Sequence, residues 1–212
     1  MPLEILVFPG GPVETNAYLV ADPETGEALV VDAPYETTET IVETAKLRGW
    51  TIGTILITHT HWDHIADAHA LKAATGARLL AHPLAVERLA DPEPLLGVLP
   101  VPVPPVATDD TLIDGERVTL GSHTFQVLHL PGHDPAHIAF YNADEQVLLG
   151  GDVLFPGGHG RTDLPGADEV IMNESLRRLV AELPAATTVF PGHGVSTTIG
   201  TEAPWIRLLQ EA

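Results

Sequence analysis

The 212-residue chain contains no cysteine. That absence excludes a disulfide framework, a thiolate nucleophile and any sulfur ligand, so metal chemistry here has to rest on His, Asp and Glu. Basic residues are scarce as well, ten Lys and Arg against 29 Asp and Glu, for a formal net charge of −19. Such a surplus repels phosphate backbones and anionic membrane surfaces at long range, and neither nucleic acid nor a membrane is expected as a partner. Hydrophobic residues make up 44% of the chain, yet no run of them approaches the ~20 residues of a bilayer span. The N-terminal residues Met1-Pro2-Leu3-Glu4-Ile5-Leu6-Val7-Phe8 show neither a basic leader nor a small-residue cleavage site, which makes a cytoplasmic location the expectation. The length suits one large core, and a single domain over residues 1–212 is expected.

What is present is organised around one stretch. Thr58-His59-Thr60-His61-Trp62-Asp63-His64 carries three imidazoles and a carboxylate, and it directly follows Ile52-Gly53-Thr54-Ile55-Leu56-Ile57, an apolar run that reads as a buried strand. In an extended segment alternate residues project to one side, so His59, His61 and Asp63 can converge while His64, at the start of a helix, points elsewhere. One loop would then feed two adjacent ions. Neutral imidazole and carboxylate suit zinc, with iron or manganese as alternatives.

Short aliphatic runs at 3–8, 17–21 and 28–32, separated by Pro-Gly and Thr-Gly turns, predict opening strands. Helices are expected over 36–48, which closes at Gly49, over 64–74, which closes at Gly76, and over 83–90, with a strand at 78–81 between the last two. Six prolines between Asp91 and Thr108 bar this segment from a central strand and predict a rim loop near the site. Strands near 111–113, 117–120, 123–130, 138–142, 146–150 and 188–190, a helix at 168–182 and a terminal helix from 201 complete the second half. Strand runs followed by helices in both halves point to two sheets with helices outside.

Three further places put a metal-binding residue where a strand gives way to a glycine turn: Pro131-Gly132-His133, Gly150-Gly151-Asp152 and Pro191-Gly192-His193-Gly194. Glycine there would let the backbone approach closely and hold a ligand at the end of a rigid strand. With the first motif these make five His and two Asp, enough for two ions sharing a carboxylate. Asp32, at the end of the third run, reads either as a helix cap or as a residue orienting a ligand. His137 reads as structural and His69, His82, His123 and His129 as ordinary helix or strand residues, while His159 is a candidate substrate contact.

His59-Thr60-His61-Trp62-Asp63-His64 followed in order by His133, Asp152 and His193 resembles the metallo-β-lactamase superfamily over most of the chain. The resemblance implies an αββα four-layer sandwich, two mixed β-sheets flanked by helices, with metals at one edge of the sheets. It implies that His59, His61 and His133 hold one metal, that Asp63, His64 and His193 hold the other, and that Asp152 bridges them. Gly151-Asp152-Val153-Leu154-Phe155, Gly160-Arg161-Thr162-Asp163-Leu164-Pro165-Gly166 and the segment 191–202 look most like the glyoxalase II-like thioesterases. Enzymes of that group continue into a helical domain that contacts glutathione, and the expectation here is a short form without it, with a homodimer as one way to cover the surface this leaves. Where they place a lysine and then a tyrosine, this chain has Arg161-Thr162-Asp163. Arg161 would grip a substrate carboxylate or tie down its own loop.

The function implied is hydrolysis of a small-molecule thioester by a hydroxide bridging two divalent ions, with Asp63 and Asp152 as the catalytic carboxylates. The resemblance leaves three rivals. A persulfide dioxygenase would use one iron on a His61-type residue, His133 and Asp152; relatives of that kind share the first motif and a Gly-Arg-Thr-Asp segment. A lactone or phosphodiester hydrolase would use the same two-metal site. A structural metal centre in an interaction protein is the third, but such centres close with four ligands, whereas seven with a bridge point to catalysis.

Overall fold

Runs such as Leu29-Val30-Val31 and Ile55-Leu56-Ile57 are buried throughout, so their strands must be covered on both faces. The computed structural model, which describes residues 1–94 and 97–209, meets that requirement with four layers. Strands β1 (Glu4–Gly10), β2 (Thr15–Asp22) and β3 (Glu27–Val31) form an antiparallel meander. Helix α1 (Thr38–Arg48) then crosses to β4 (Thr51–Leu56), parallel to β3. Short helices α2 (Trp62–Ile65) and α3 (Ala68–Thr75) lead to β5 (Arg78–Ala81). A 3-10 turn (Pro83–Ala85) and α4 (Val86–Ala90) precede β6 (Asp110–Thr111), and the sheet runs β1-β2-β3-β4-β5-β6.

The second sheet repeats the plan. Strands β7 (Arg117–Leu120), β8 (His123–His129), β9 (Ile138–Asn142) and β10 (Val147–Gly151) pair antiparallel. Helix α5 (Glu169–Glu182) returns the chain to β11 (Thr188–Pro191), parallel to β10, and β12 (Thr197–Thr198) with α6 (Ile199–Ile206) ends it. The order is β12-β11-β10-β9-β8-β7.

Side-chain alternation sorts the apolar residues into three cores, as four layers require. Leu29, Val31 and Leu56 pack between the sheets against Phe125, Phe140 and Leu149. Their neighbours Val30, Ile55 and Ile57 turn outward to Ile41 and Ala45 of α1 and Leu71 of α3. On the far side Leu148 and Val189 meet Met172, Leu176 and Leu179 of α5. Each such side chain, fully buried, contributes about 1.5–3 kcal/mol.

Local differences from the expected elements have local causes. The helix expected over 64–74 is two, α2 and α3, because the N–H of Asp67 between them bonds the Ala33 carbonyl at 2.8 Å and so leaves the helical ladder. Asp67 Oδ2 accepts the Thr37 and Thr38 N–H groups at 3.0 Å each, capping α1 from outside. Gly49 at φ 72° ends α1 with its N–H on the Ala45 and Lys46 carbonyls. The last helix starts at Ile199 instead of 201, since the Thr198 hydroxyl caps it by accepting the Thr201 N–H. The two-residue β12 had no pattern long enough to read. The proline-rich segment sends Val103 and Val106 into the outer core; positions 95–96 within it lie outside the described residues.

The four segments with candidate ligands leave the carboxyl ends of β4, β8, β10 and β11. Among the described residues no helix is long and apolar enough to cross a membrane.

Candidate metal centre

His59, His64, His133 and Asp152 are buried where those strand ends meet. Each imidazole is held from behind. Asp32 accepts the Thr58 N–H (2.8 Å) and the Thr58 hydroxyl (2.7 Å), so that hydroxyl is left to accept the Nδ1–H of His59 at 3.0 Å. The same carboxylate receives Nδ1 of His64 at 2.7 Å. Nδ1 of His133 donates to the Arg161 carbonyl (2.8 Å) and Nδ1 of His193 to the Val13 carbonyl (3.1 Å). In four of the five rings Nδ1 is therefore engaged from behind, and Nε2 is the atom that points inward.

Those inward atoms lack partners of their own. Nε2 of His59, His64 and His133 and Oδ1 of Asp152 are buried without a hydrogen bond, an arrangement costly enough to require an explanation. They lie at the spacing of ligands sharing an ion. Asp152 Oδ2 is 3.3 Å from His133 Nε2 and 3.5 Å from His193 Nε2, and its Oδ1 is 3.4 Å from His64 Nε2. Asp63 Oδ2 stands 3.3 Å from His193 Nε2 and 3.5 Å from His64 Nε2. Two ligand atoms at 2.0–2.1 Å from a tetrahedral zinc stand roughly 3.3 Å apart. Three groups come within 4.8 Å of one another: His59, His61 and His133; Asp63, His64 and His193; and His59, His64 and Asp152. The residues fit divalent metal ions, and Asp152 faces both triads.

Electrostatics agree with the geometry. Burial works against the charge on Asp152, but the His64 ring, joined by His133 and His193, holds its carboxyl well below the usual range. Burial likewise opposes the charge on Asp63, and His64, His193 and Thr15 outweigh it. His59 is kept neutral by burial and by the neighbouring His64 and His61 rings, and His61 is brought down to about 4 by burial and the His133 ring. Against the cost of burial, Asp152 and Asp63 raise His193 to about 9, and with Asp32 they raise His64. Two carboxylates facing inward call for positive charge between the rings.

Glycine makes the approach feasible. A Cβ at Gly192 would overlap Asp152 Oδ1 and His64 Cε1, and one at Gly160 would overlap the Asp152 carbonyl and the His133 ring.

Several supporting residues had no signature in the sequence. Thr15 Oγ1 donates to Asp63 Oδ2 at 2.6 Å. The Asn16 amide donates to the Pro191 and Gly194 carbonyls, shaping the turn that carries His193. Arg88 donates to the buried Asp134 at 2.6 Å, and that carboxylate lies 3.9 Å from His61 Nε2. Its adjacency to His133 was the only clue to Asp134. Asp32 orients His64 and caps no helix. His137, its pKa brought down to about 3 by burial, accepts the Asp152 N–H and is structural.

A cavity of about 400 Å³ opens onto the cluster and includes Arg161 in its wall. The Arg161 guanidinium is held in a two-pronged pair with Asp163, at 2.8 and 2.9 Å. The structure does not bring His159 to this wall: its ring lies against Trp205, with centroids 6.2 Å apart, and its Nδ1 bonds the Gly160 carbonyl. A separate cavity of about 420 Å³ lies by β5, β6 and β7, lined by residues such as Arg78 and Asp110 and, among the described residues, by no histidine.

Residues 10–193 match the metallo-beta-lactamase superfamily. The chain belongs to that superfamily. A hydroxyacylglutathione hydrolase from Rhizobium etli is 37% identical over 193 residues, 91% of this chain, and the chain spans about two thirds (66%) of that protein's length. Two solved structures of the superfamily match nearly end to end. One, described as BLEG-1 B3 metallo-beta-lactamase, has a TM-score of 0.86 at 34% identity and covers 95% of this chain and 97% of its own. The other, TTHA1623 in a di-iron-bound form, has a TM-score of 0.82 at 37% identity and covers 93% and 96%. The αββα sandwich expected from the motif order is the observed fold, and the superfamily neighbours share it.

Proposed function

We propose that this protein is a hydrolase of small-molecule thioesters, for which the hydroxyacyl thioester S-lactoylglutathione is the test compound, working with two divalent metal ions. The observation that carries the reading is the set of buried, partnerless ligand atoms spaced for two ions around Asp152. The similarity to hydroxyacylglutathione hydrolases supports a thioester as the bond cleaved. His59, His61 and His133 would hold one ion, Asp63, His64 and His193 the other, with Asp152 between. Zinc suits these nitrogens and oxygens, and the di-iron form of a similar protein makes iron the alternative. Such a pair supplies hydroxide at neutral pH and positive charge for the oxygen of the acyl group.

The chain's own part is positioning. Asp63, in the cavity wall, orients the attacking water, and Thr15 fixes the direction in which its carboxylate faces. Water oxygen bonds to the acyl carbon and the carbon–sulfur bond breaks; one proton passes to the departing thiolate, so that a thiol and a carboxylic acid result. Asp32 and the Arg161 and Val13 carbonyls keep the rings from turning during this step.

The test is steady-state hydrolysis of S-lactoylglutathione by protein of measured zinc and iron content. A kcat/KM in the ~10⁴–10⁸ M⁻¹s⁻¹ range of good enzyme–substrate pairs is expected. Loss of both metal and turnover in Asp152→Ala is expected alongside. A protein with two metals bound that cleaves no thioester would remove the reading. The near full-length match to a B3 metallo-beta-lactamase favours a second one, opening of a β-lactam amide, which the same preparation answers with a chromogenic cephalosporin.

A further inference from the structure

The wall of the cavity, outside the ligand cluster, is apolar. Val13, Trp62, Pro94, Val98, Pro100 and Leu164 line it, and two of them are exposed to solvent, Val13 at 47% and Val98 at 82%. Exposed apolar side chains gathered at the mouth of a pocket mark a recognition surface. The prolines add rigidity, since a fixed φ leaves less freedom to lose when the wall closes on a ligand.

Charge points the same way. Beyond the candidate metal ligands, Arg161 is the only charged residue among the described lining residues, and Asp163 already neutralises it with two parallel hydrogen bonds. The chain as a whole carries −19. A thiol carrier bearing several carboxylates or phosphates would find no free cationic side chain in this wall and an adverse field around it.

We infer that the pocket selects its thioester by an apolar acyl group, on a carrier whose charge makes no contribution to binding. This rests on the thioester reading above and adds the substrate class to it. A volume of about 400 Å³ is at the lower end of small-molecule pockets, which run from roughly 300 to 1,000 Å³. It suits a compact aliphatic or aromatic acyl group with a short thiol. The proline-rich segment is then the specificity element, since it supplies Pro94, Val98 and Pro100.

The experiment uses the metal-loaded protein and thioesters of one neutral carrier, N-acetylcysteamine, bearing acetyl, butanoyl, hexanoyl and lactoyl groups, with S-lactoylglutathione as the charged comparison. Burial of a methylene predicts that kcat/KM rises about fourfold per CH₂ from acetyl to hexanoyl. Lactoyl on the neutral carrier should fall below butanoyl, and its kcat/KM should be within about threefold of lactoyl on glutathione. Val98→Asp, at a position exposed enough to leave folding alone, should flatten the chain-length slope and raise KM most for hexanoyl. A flat or falling series overturns the inference while leaving the thioester reading in place. So does a more than tenfold advantage for glutathione over N-acetylcysteamine with the same acyl group. Absence of hydrolysis across all five compounds overturns both.

Discussion

Thr15 Oγ1 and Asp63 Oδ2 are 2.6 Å apart, a bond that joins the first residue of β2 to the histidine loop 48 positions later. The same residue forms an isolated bridge with His193. Thr15 is fully buried, so its hydroxyl has no solvent role, and the bond fixes which face of the Asp63 carboxylate is turned to His64 and His193.

Replacing Thr15 by Val keeps the shape and removes the donor. Affinity for the second of two metals is expected to fall by about 10–100-fold, the usual cost of losing a group that orients a ligand, while Thr15→Ser retains it. Competition against a chromophoric chelator reads both constants. Equal loss at both sites, or none in Thr15→Val, would show that Asp63 is oriented by something else.

Asp32 collects three donors, the Thr58 N–H, the Thr58 hydroxyl and His64 Nδ1, from a left-handed conformation at φ 59°. Asp32→Ala strands them in the core and is expected to cost at least about 3 kcal/mol of stability, from about 1–3 kcal/mol for each of the three unsatisfied buried groups. Asp32→Asn keeps the backbone preference and part of the acceptor capacity, so it should unfold later than the Ala variant yet still bind metal more weakly than the parent. Thermal melts with and without zinc separate the two effects; an Asn variant no more stable than Ala would shift the explanation from hydrogen bonds to charge.

The site was legible to the extent that its chemistry is compressed. Four of the candidate ligands lie within six consecutive residues, and the other three each follow a strand and sit beside glycine. Thr15, Arg88 and Asp32 were harder because their partners are 48, 46 and 26–32 positions away, and a threonine or arginine on an ordinary strand or helix carries no mark of a distant carboxylate. Strand positions were readable from short aliphatic runs bounded by glycine and proline turns. The break at Asp67 was not, since its N–H serves the Ala33 carbonyl and not the helix in which it was expected.

Asp22 gives a pH dependence of known sign. At the end of β2 it accepts the Ser122 N–H and hydroxyl from the turn between β7 and β8, together with the Glu24 N–H, and these bonds, led by the Ser122 N–H, lower its pKa to about 2. A carboxyl depressed in the folded state contributes stability that is present above its unfolded value of roughly 3.9 and is lost as pH falls through the folded one. Melting temperatures of the parent and Asp22→Asn should therefore differ at pH 5 and converge towards pH 2. A constant gap over that range would mean that the carboxylate charge is not what joins the two sheets here.

Gly192 tests the geometry of the cluster without touching a ligand. Its missing Cβ is the space occupied by Asp152 Oδ1 and His64 Cε1, two groups fixed from behind by the Asp152 N–H to His137 and by the His64 Nδ1 to Asp32. One methyl group at this position cannot be absorbed by a flexible side chain, so Gly192→Ala is expected to push apart the carboxylate that faces both triads and a ring of the second. Metal binding and turnover should then fall together by at least tenfold, with a stability cost of about 1–3 kcal/mol, the range for an overpacked site. Gly158→Ala is the control, because a Cβ there meets nothing within 4 Å. Full metal occupancy in Gly192→Ala would mean that the ligands do not need the close approach that places Asp152 between the two groups.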